Sequence, residues 1–137
     1  MPVPSLLLIE DSADDVALAQ RALKQRGVSA LLTIANSGKE ALDILDSRGD
    51  GRLPKAVFLD LNMPGCHGFD VLKRVRSNRK MAGLPVVVLT TSSEPDDIER
   101  SYELGANSYV TKPVDFSEFS EMFARMSAYW LTINQTV

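Results

Sequence analysis

Residues 56–62 read AVFLDLN, a run of four apolar residues that leads into the acidic Asp60. Two other runs, Leu6–Ile9 and Val86–Leu89, are also apolar without interruption. Strands that are covered on both faces of a parallel sheet have this composition, whereas half-exposed strands alternate apolar and polar residues. The three runs therefore predict strands of a parallel sheet with helices on both faces.

Helical patterns separate these runs from one another and from two further β-type runs, Leu31–Ala35 and Ser108–Thr111. Pairs that resemble capping boxes mark four helix starts. These pairs are Ser12 with Asp15, Ser37 with Glu40, Ser93 with Asp96, and Asp115 with Glu118. Gly27, Gly49 and Gly105 stand where helices should end. Alternating strands and helices predict an α/β, doubly wound fold with five parallel strands and five helices.

Length and charge set the protein class. The 137 residues suit one domain over residues 1–137, with a core from about residue 5 to 127 and a helical extension from about 128 to 137. The apolar runs are too short to cross a membrane, and the N-terminus lacks the features of a signal peptide. The single cysteine, Cys66, excludes an internal disulfide. We therefore expect a cytoplasmic protein.

A net charge of −3 argues against a dedicated nucleic-acid binder. One basic run could still contact nucleic acid, but it falls at the C-terminal end of a predicted helix, where cations complement the helix dipole. This run comprises Lys73, Arg74, Arg76, Arg79 and Lys80. We interpret it as a solvated helix face and expect no direct nucleic-acid contact.

The last helix carries an apolar stripe at three- and four-residue spacing. Its members are Phe119, Met122, Phe123, Met126, Trp130 and Ile133. Most of this stripe should be core. It continues beyond the length that the sheet needs for cover, so Tyr129, Trp130 and Ile133 are candidates for a projecting partner-binding patch.

Polar side chains follow the predicted strands at one common edge, because the carboxyl ends of parallel strands meet there. Glu10 and Asp11 follow the first strand and Asp60 the third; Thr90 follows the fourth and Lys112 the fifth. Clustered carboxylates without His or Cys predict Mg²⁺ as the ion that neutralises them. Each residue alone is a common cap or loop group, but the five together indicate a site.

Asp60 is the candidate nucleophile, since a carboxylate can form an acyl phosphate. Lys112 and Thr90 would hold the oxygens of the phosphoryl group. The Pro64-Gly65 turn after Asp60 could direct the Asn62 backbone carbonyl at the metal. This arrangement predicts phosphoryl chemistry at the sheet edge.

Four segments together resemble the motif set of response-regulator receiver domains. They are LLIED (7–11), FLDLNMPG (58–65), VLT (88–90) and YVTKP (109–113). The resemblance covers residues 5 to about 127 and implies a flavodoxin-like sheet of order 2-1-3-4-5. It also implies a two-component phosphorelay protein with no enzymatic activity beyond its own phosphorylation and dephosphorylation.

The resemblance assigns roles to the site residues. Asp60 would accept a phosphoryl group from a kinase phosphohistidine. Asp11, Asp60 and the Asn62 carbonyl would bind Mg²⁺, with Glu10 assisting through water. Lys112 would pair with the phosphoryl oxygens, while Thr90 and the aromatic Tyr109 would act as the switch. The Lys112–Pro113 peptide matches a position that the family usually holds as cis.

Two positions depart from the family pattern. Glu10 stands where aspartate is more frequent, so we expect a tuned site that still reaches a metal-bound water. Thr91 stands where many receivers carry alanine or glycine, which predicts a narrower approach to Asp60 and slower reaction with small phosphodonors.

A narrower resemblance points to the single-domain receivers that partner phytochrome-type histidine kinases. It rests on LPVVVLTTS (84–92), SYELGAN (101–107) and YWL (129–131). It implies a photosensory kinase upstream. It also implies a homodimer through the face of the fourth helix, fifth strand and fifth helix, to which Tyr129 and Trp130 contribute.

Three alternatives stay open. The chain could shuttle phosphoryl groups to a histidine phosphotransfer protein or act as a sink for them. It could be a Mg²⁺-dependent phosphohydrolase, although Asn62 stands where a general acid would be needed. It could also be an interaction module that is never phosphorylated, against which the complete set of acids, hydroxyl and lysine argues. The roles of Cys66 and His67 are not specified by the sequence.

Overall fold

The computed structural model describes residues 4–48, 53–63 and 66–135. Within them, one parallel sheet contains five strands: β1 (Ser5–Ile9), β2 (Leu31–Ala35), β3 (Ala56–Leu59), β4 (Val86–Thr90) and β5 (Ser108–Thr111). Their order across the sheet is β2-β1-β3-β4-β5, with every neighbouring pair parallel. The predicted α/β fold and its strand order are confirmed.

Five helices alternate with these strands. They are α1 (Ala13–Gln25), α2 (Gly38–Ser47), α3 (Gly68–Ser77), α4 (Pro95–Glu103) and α5 (Phe116–Ala128). A wide π-type turn, Tyr129–Ile133, continues α5 and closes with a hydrogen bond from the Asn134 amide to the Tyr129 carbonyl. No helix in the described ranges has the length and apolar character needed to span a membrane.

The structure confirms two of the four predicted capping pairs. Ser12 and Ser37 cap α1 and α2, accepting hydrogen bonds from the Asp15 and Glu40 amides. The prediction at Ser93 was wrong, because α4 begins at Pro95 with Glu94 as its N-cap. A proline in the first turn needs no amide partner and keeps the residue before it extended, so it sets the boundary.

The remaining predictions of helix ends concern Asp115 and three glycines. Asp115 occupies the N-cap position of α5, but its side chain makes no capping hydrogen bond. Gly27 and Gly105 end α1 and α4 with positive φ angles of 70° and 103°. Gly49 lies outside the described residues. The helix ends at Gly27 and Gly105 were therefore predicted correctly.

Two apolar layers cover the sheet. On one face, α1 and α5 pack on Leu6, Leu8 and Phe58 of the central strands. On the other face, α2 and α3 pack on Leu7, Ile9, Val57, Leu59 and Val88. β3 and β4 are fully buried, as their uninterrupted apolar runs predicted.

The C-terminal stripe divides between core and surface. Phe119 and Phe123 are buried, and Met122, Met126 and Trp130 pack against the same layer. Trp130 therefore belongs to the fold and does not project, because its indole covers apolar surface. Tyr129 and Ile133 are exposed, at 42% and 65%. The described patch consists of these two side chains.

The basic run is not uniformly solvated. Lys73, Arg74 and Arg79 are exposed as expected, but Arg76 is partly buried. Its guanidinium donates to the carbonyls of Gly105, Ala82 and Leu84 and to the side-chain oxygen of Asn107. For Arg76 the solvated-face interpretation was wrong, because its planar fork donates to several loop oxygens at once.

Candidate functional site at the carboxyl ends of the strands

Backbone hydrogen bonds extend the sheet pairing just beyond the strands. The Glu10 amide donates to the Ala35 carbonyl, the Asp60 amide to the Ile9 carbonyl and the Lys112 amide to the Thr90 carbonyl. These bonds fix the first residue after β1, β3 and β5 in the frame of the sheet. The side chains that carry the chemistry therefore leave from ordered backbone.

Glu10, Asp11 and Asp60 form the acidic cluster. One carboxylate oxygen from each lies within 4.8 Å of the other two. Glu10 and Asp60 are buried, at 2% and 9% exposure, while Asp11 is exposed. An oxygen-only donor set open on one side suits a hard cation such as Mg²⁺, which keeps several of its waters. The three predicted carboxylate ligands are therefore brought together, while the role of the Asn62 carbonyl stays a prediction.

The Glu10 carboxylate is held by the chain that follows it. Its Oε2 atom accepts hydrogen bonds from the Asp11 amide at 3.1 Å and the Ser12 amide at 3.4 Å. Burial raises the pKa of Glu10 to about 7, and the charge of Asp60 adds to the rise, against opposing contributions from Lys112 and the Ser12 amide. Negative charge in this cluster is thus costly without a compensating cation.

Lys112 supplies a cation from β5. Its ammonium forms an ion pair with Glu10 and a second one with Asp15 at 3.1 Å. Burial alone would lower the pKa of Lys112, but the hydrogen bond to Glu10 and the charges of Asp60 and Glu10 outweigh it and raise the pKa. The Lys112 side chain is only 9% exposed, so the ammonium is held inside the site.

Thr90 and Asn62 complete the edge around Asp60. Thr90 is fully buried, and its hydroxyl accepts long hydrogen bonds from the Asn62 side-chain amide and the Ser92 backbone amide. The Asn62 backbone amide donates to Asp60 Oδ1 at 3.4 Å. Asn62 therefore bridges Asp60, the predicted nucleophile, and the Thr90 hydroxyl, the predicted switch group.

Tyr109 links β5 to the loop that precedes α4. Its hydroxyl donates to the Ser92 carbonyl at 2.8 Å, and its backbone amide donates to the Tyr102 hydroxyl at 3.1 Å. Burial raises the pKa of the Tyr109 hydroxyl, so it remains a donor at neutral pH. The half-buried ring lies where a change at Ser92 would reach it directly.

Three features of the site were missed by the sequence analysis. Asp15 pairs with Lys112, and its only signal was the capping pair with Ser12. Two-residue strands, Asn62–Met63 and Cys66–His67, pair antiparallel after β3. A Cβ atom at Gly68 would lie 2.8 Å from the Asp60 carbonyl oxygen, so glycine permits this close approach.

Of two further expectations about loops, the structure tests one. The described residues contain no cis peptide bond, so the expected cis Lys112–Pro113 peptide is absent, and Lys112 enters the site through its ion pairs. Thr91 is exposed beside the site, and its effect on phosphodonors stays a prediction. Pro64 and Gly65 lie outside the described residues.

Comparisons with known proteins agree with this geometry. The profile of the family described as "Response regulator receiver domain" matches residues 6–124. Response regulator Rcp1 from Synechocystis is 36% identical over 133 residues, which cover 95% of this chain and 90% of Rcp1. The probable methanogenesis regulatory protein FilR2 from Methanothrix harundinacea is 37% identical over 133 residues, covering 96% of this chain and 86% of FilR2.

Solved structures show the same similarity. The phosphorylated cyanobacterial phytochrome response regulator RcpA superposes with a TM-score of 0.89 at 32% identity, covering 98% of this chain and 99% of RcpA. The Mn²⁺-bound form of Rcp1 superposes with a TM-score of 0.86 at 34% identity, covering 99% of both chains.

Proposed function

This chain belongs to the response regulator receiver family, and we propose that it accepts a phosphoryl group on Asp60 from a sensor histidine kinase. The observation that carries the proposal is the position of Asp60, which lies with Glu10 and Asp11 at one sheet edge while Lys112 is ion-paired there. A nucleophilic carboxylate, a divalent-cation donor set and a fixed ammonium are the parts that phosphoryl transfer to an acid requires.

The proposed reaction is a displacement at phosphorus. A carboxylate oxygen of Asp60 forms the new P–O bond, and the bond from phosphorus to the histidine nitrogen breaks with its electron pair on that nitrogen. Lys112 donates to a phosphoryl oxygen, and Thr90 can turn its hydroxyl toward another.

The residues fit Mg²⁺ by donor chemistry. Asp11, Asp60 and the Asn62 carbonyl would hold the ion, with Glu10 assisting through water. When bound, the ion neutralises the clustered carboxylates and the incoming phosphoryl oxygens.

The proposed output is a change of the face formed by α4, β5 and α5. Thr91 and Ser92 directly follow Thr90 in the chain, and the Ser92 carbonyl accepts a hydrogen bond from the Tyr109 hydroxyl. A shift of Thr90 toward a phosphoryl group would therefore alter the acceptor that positions the Tyr109 ring. Burial of Thr90 and its contact with Asn62 support this coupling.

The proposed upstream partner is a phytochrome-type kinase, because RcpA is described as a phytochrome response regulator. Phosphorylation is tested by the intact mass after incubation with Mg²⁺ and a small acyl-phosphate donor, with Asp60→Asn as the control. We expect one phosphoryl group on the parent and none on the variant. Because Thr91 could slow small donors, a phosphorylated histidine kinase serves as the second donor, and failure with both would overturn the proposal.

Self-association through the α4, β5 and α5 face is part of the proposal. Tyr102, Tyr129 and Ile133 supply exposed apolar surface on α4 and after α5. Light scattering coupled to size exclusion tests it: Ile133→Asp should lower the dimer fraction, while Gln135→Asp, an exposed neighbour, should not. Equal dimer fractions in both variants would show that the π-type turn, Tyr129–Ile133, is not part of the interface.

A further inference from the structure

Asp15 has no assigned role in the proposed phosphoryl transfer, yet its carboxylate contacts the Lys112 ammonium, which would bind a phosphoryl oxygen in that step. Asp15 Oδ2 lies 3.1 Å from the Lys112 ammonium, and the contact joins α1 to the residue after β5. Its backbone is fixed by the Ser12 side chain, which accepts from the Asp15 amide at 3.3 Å. Within the described residues, Lys112 has two ion-pair partners, Glu10 and Asp15.

The two partners of Lys112 differ in their other contacts. Glu10 belongs to the acidic cluster with Asp11 and Asp60, whereas Asp15 does not. Glu10 therefore has two competing uses, since the carboxylate that pairs with Lys112 would also serve a cation in that cluster. Asp15 has no such conflict and can keep its contact while the charge around Glu10 changes.

An ammonium has three N–H donors, so one partner does not exhaust it. With Asp15 as a fixed acceptor, Lys112 can release Glu10 and direct a free donor at a phosphoryl oxygen without leaving the site. Without Asp15, Glu10 would be the one ion-pair partner left to Lys112 among the described residues. A flexible four-carbon side chain that loses its ion pairs samples solvent-exposed rotamers.

We propose that Asp15 is a positioning residue that keeps the Lys112 ammonium inside the site when a divalent cation engages Glu10. The proposal rests on the proposed Mg²⁺-dependent function. It assigns Asp15 no contact with the cation or the phosphoryl group. Its effect on phosphorylation passes through Lys112.

Chemical labelling of Lys112 tests this directly and does not require phosphorylation. Parent protein and Asp15→Asn are treated with an amine-reactive acylating reagent with and without Mg²⁺, and acylation of Lys112 is quantified by peptide mass spectrometry. The parent should protect Lys112 in both conditions. Asp15→Asn should acylate Lys112 about threefold faster once Mg²⁺ is added, as loss of a partly exposed ion pair suggests.

Asp14→Asn is the matched control. Asp14 is the other acid in the first turn of α1, and it is exposed. Its variant removes the same charge from the same helix end, so it reports any effect of the helix dipole or of net charge. Lys112 should remain protected in Asp14→Asn, and Asp15→Glu should restore most of the protection because its carboxylate can still reach the ammonium.

Calorimetric titration of the parent with Mg²⁺ separates the two proposals. A parent that binds no Mg²⁺ would contradict the proposed function. A parent that binds Mg²⁺, combined with equal Lys112 labelling in Asp15→Asn and Asp14→Asn, would overturn the role of Asp15 and leave the proposed function standing. A matching threefold loss of phosphorylation rate in Asp15→Asn, but not in Asp14→Asn, would support it further.

Discussion

The two ends of β5 each meet a cationic side chain that is withdrawn from solvent, and the two cations are held in different ways. At the start of β5, Arg76 donates to neutral oxygens of Gly105, Asn107 and Leu84. At its end, Lys112 pairs with the charged carboxylates of Glu10 and Asp15. Burial lowers the pKa of Arg76, whereas the surrounding carboxylates raise the pKa of Lys112.

We expect this difference to separate a structural cation, Arg76, from a cation with a role in the proposed phosphoryl transfer, Lys112, which is called the reactive cation below. Guanidinium hydrogen bonds to fixed carbonyls have one good arrangement, so we expect the Arg76 end of β5 to be rigid. An ammonium among several carboxylates can exchange partners at little cost, since each partner offers similar charge. We therefore expect the start of β5 to stay fixed, and the proposed function predicts that its other end responds to a phosphoryl group on Asp60.

The largest expected effect comes from removing the reactive cation. Lys112→Met should slow phosphorylation of Asp60 roughly a hundredfold, as loss of one preorganised donor to a developing oxyanion does. The rate is measured from the intact mass over time with an acyl-phosphate donor and Mg²⁺. Lys73→Met, an exposed lysine on α3, should react like the parent. A rate within about twofold of the parent would mean that Lys112 is structural, like Arg76.

The next effect comes from removing the structural cation. Arg76→Ala should lower the free energy of unfolding by about 2–3 kcal/mol, because several loop oxygens lose their donor. Arg76→Lys should recover less than half, since an ammonium cannot reproduce the fork. Urea unfolding measures both, and Arg79→Ala, in the exposed turn after α3, should change stability by at most about 0.5 kcal/mol.

The same comparison predicts that the loss of stability in Arg76→Ala is separable from the loss of phosphorylation rate in Lys112→Met. Folded Arg76→Ala should phosphorylate Asp60 at a rate close to that of the parent, because the Arg76 contacts lie at the opposite end of β5 from Lys112. A large loss of phosphorylation rate in folded Arg76→Ala would break the division into a structural and a reactive end.

Sequence predicted the reactive end better than the structural end. Glu10, Asp60 and Lys112 directly follow strands, Asp11 comes one residue later, and Thr90 is the last residue of β4. Parallel strands bring such positions to one edge whatever the helix details. The apolar runs of β3 and β4 fixed their burial in the same way. Strand burial and edge position are therefore readable from local pattern.

Contacts made by long side chains across loops were not predictable in this way. Arg76 was assigned to a solvated face because its neighbours are exposed, and only the fold brings Gly105 and Asn107 to its guanidinium. Asp15 was identified as a cap but not as a partner of Lys112, which is 97 residues away in sequence. Ser93 was misassigned because Pro95 sets the start of α4.

A smaller effect sharpens the description of the Arg76 end. A Cβ atom at Gly105 would lie 2.8 Å from Arg76 Nε, and the residue has a φ of 103°. Gly105→Ala should lower the free energy of unfolding by about 2 kcal/mol through backbone strain and displacement of Arg76. Gly27→Ala is the control, since Gly27 has a φ of 70° and nothing within 4 Å of its added Cβ. It should lose about 1 kcal/mol. Equal losses in urea would show that Arg76 moves aside without cost.

The smallest effect lies between the two ends, at Tyr109. Tyr109→Phe removes the hydrogen bond to the Ser92 carbonyl and should lower the free energy of unfolding by about 1 kcal/mol. Tyr102→Phe is the control, because its hydroxyl accepts from the Tyr109 amide on an exposed surface where water can replace it. It should lose about 0.5 kcal/mol or less.

Combined with Arg76→Ala, the loss of stability from Tyr109→Phe should simply add, since the two side chains share no acceptor. A coupling energy above about 0.5 kcal/mol in urea unfolding would mean that the rigid start of β5 and its responsive end form one cooperative unit.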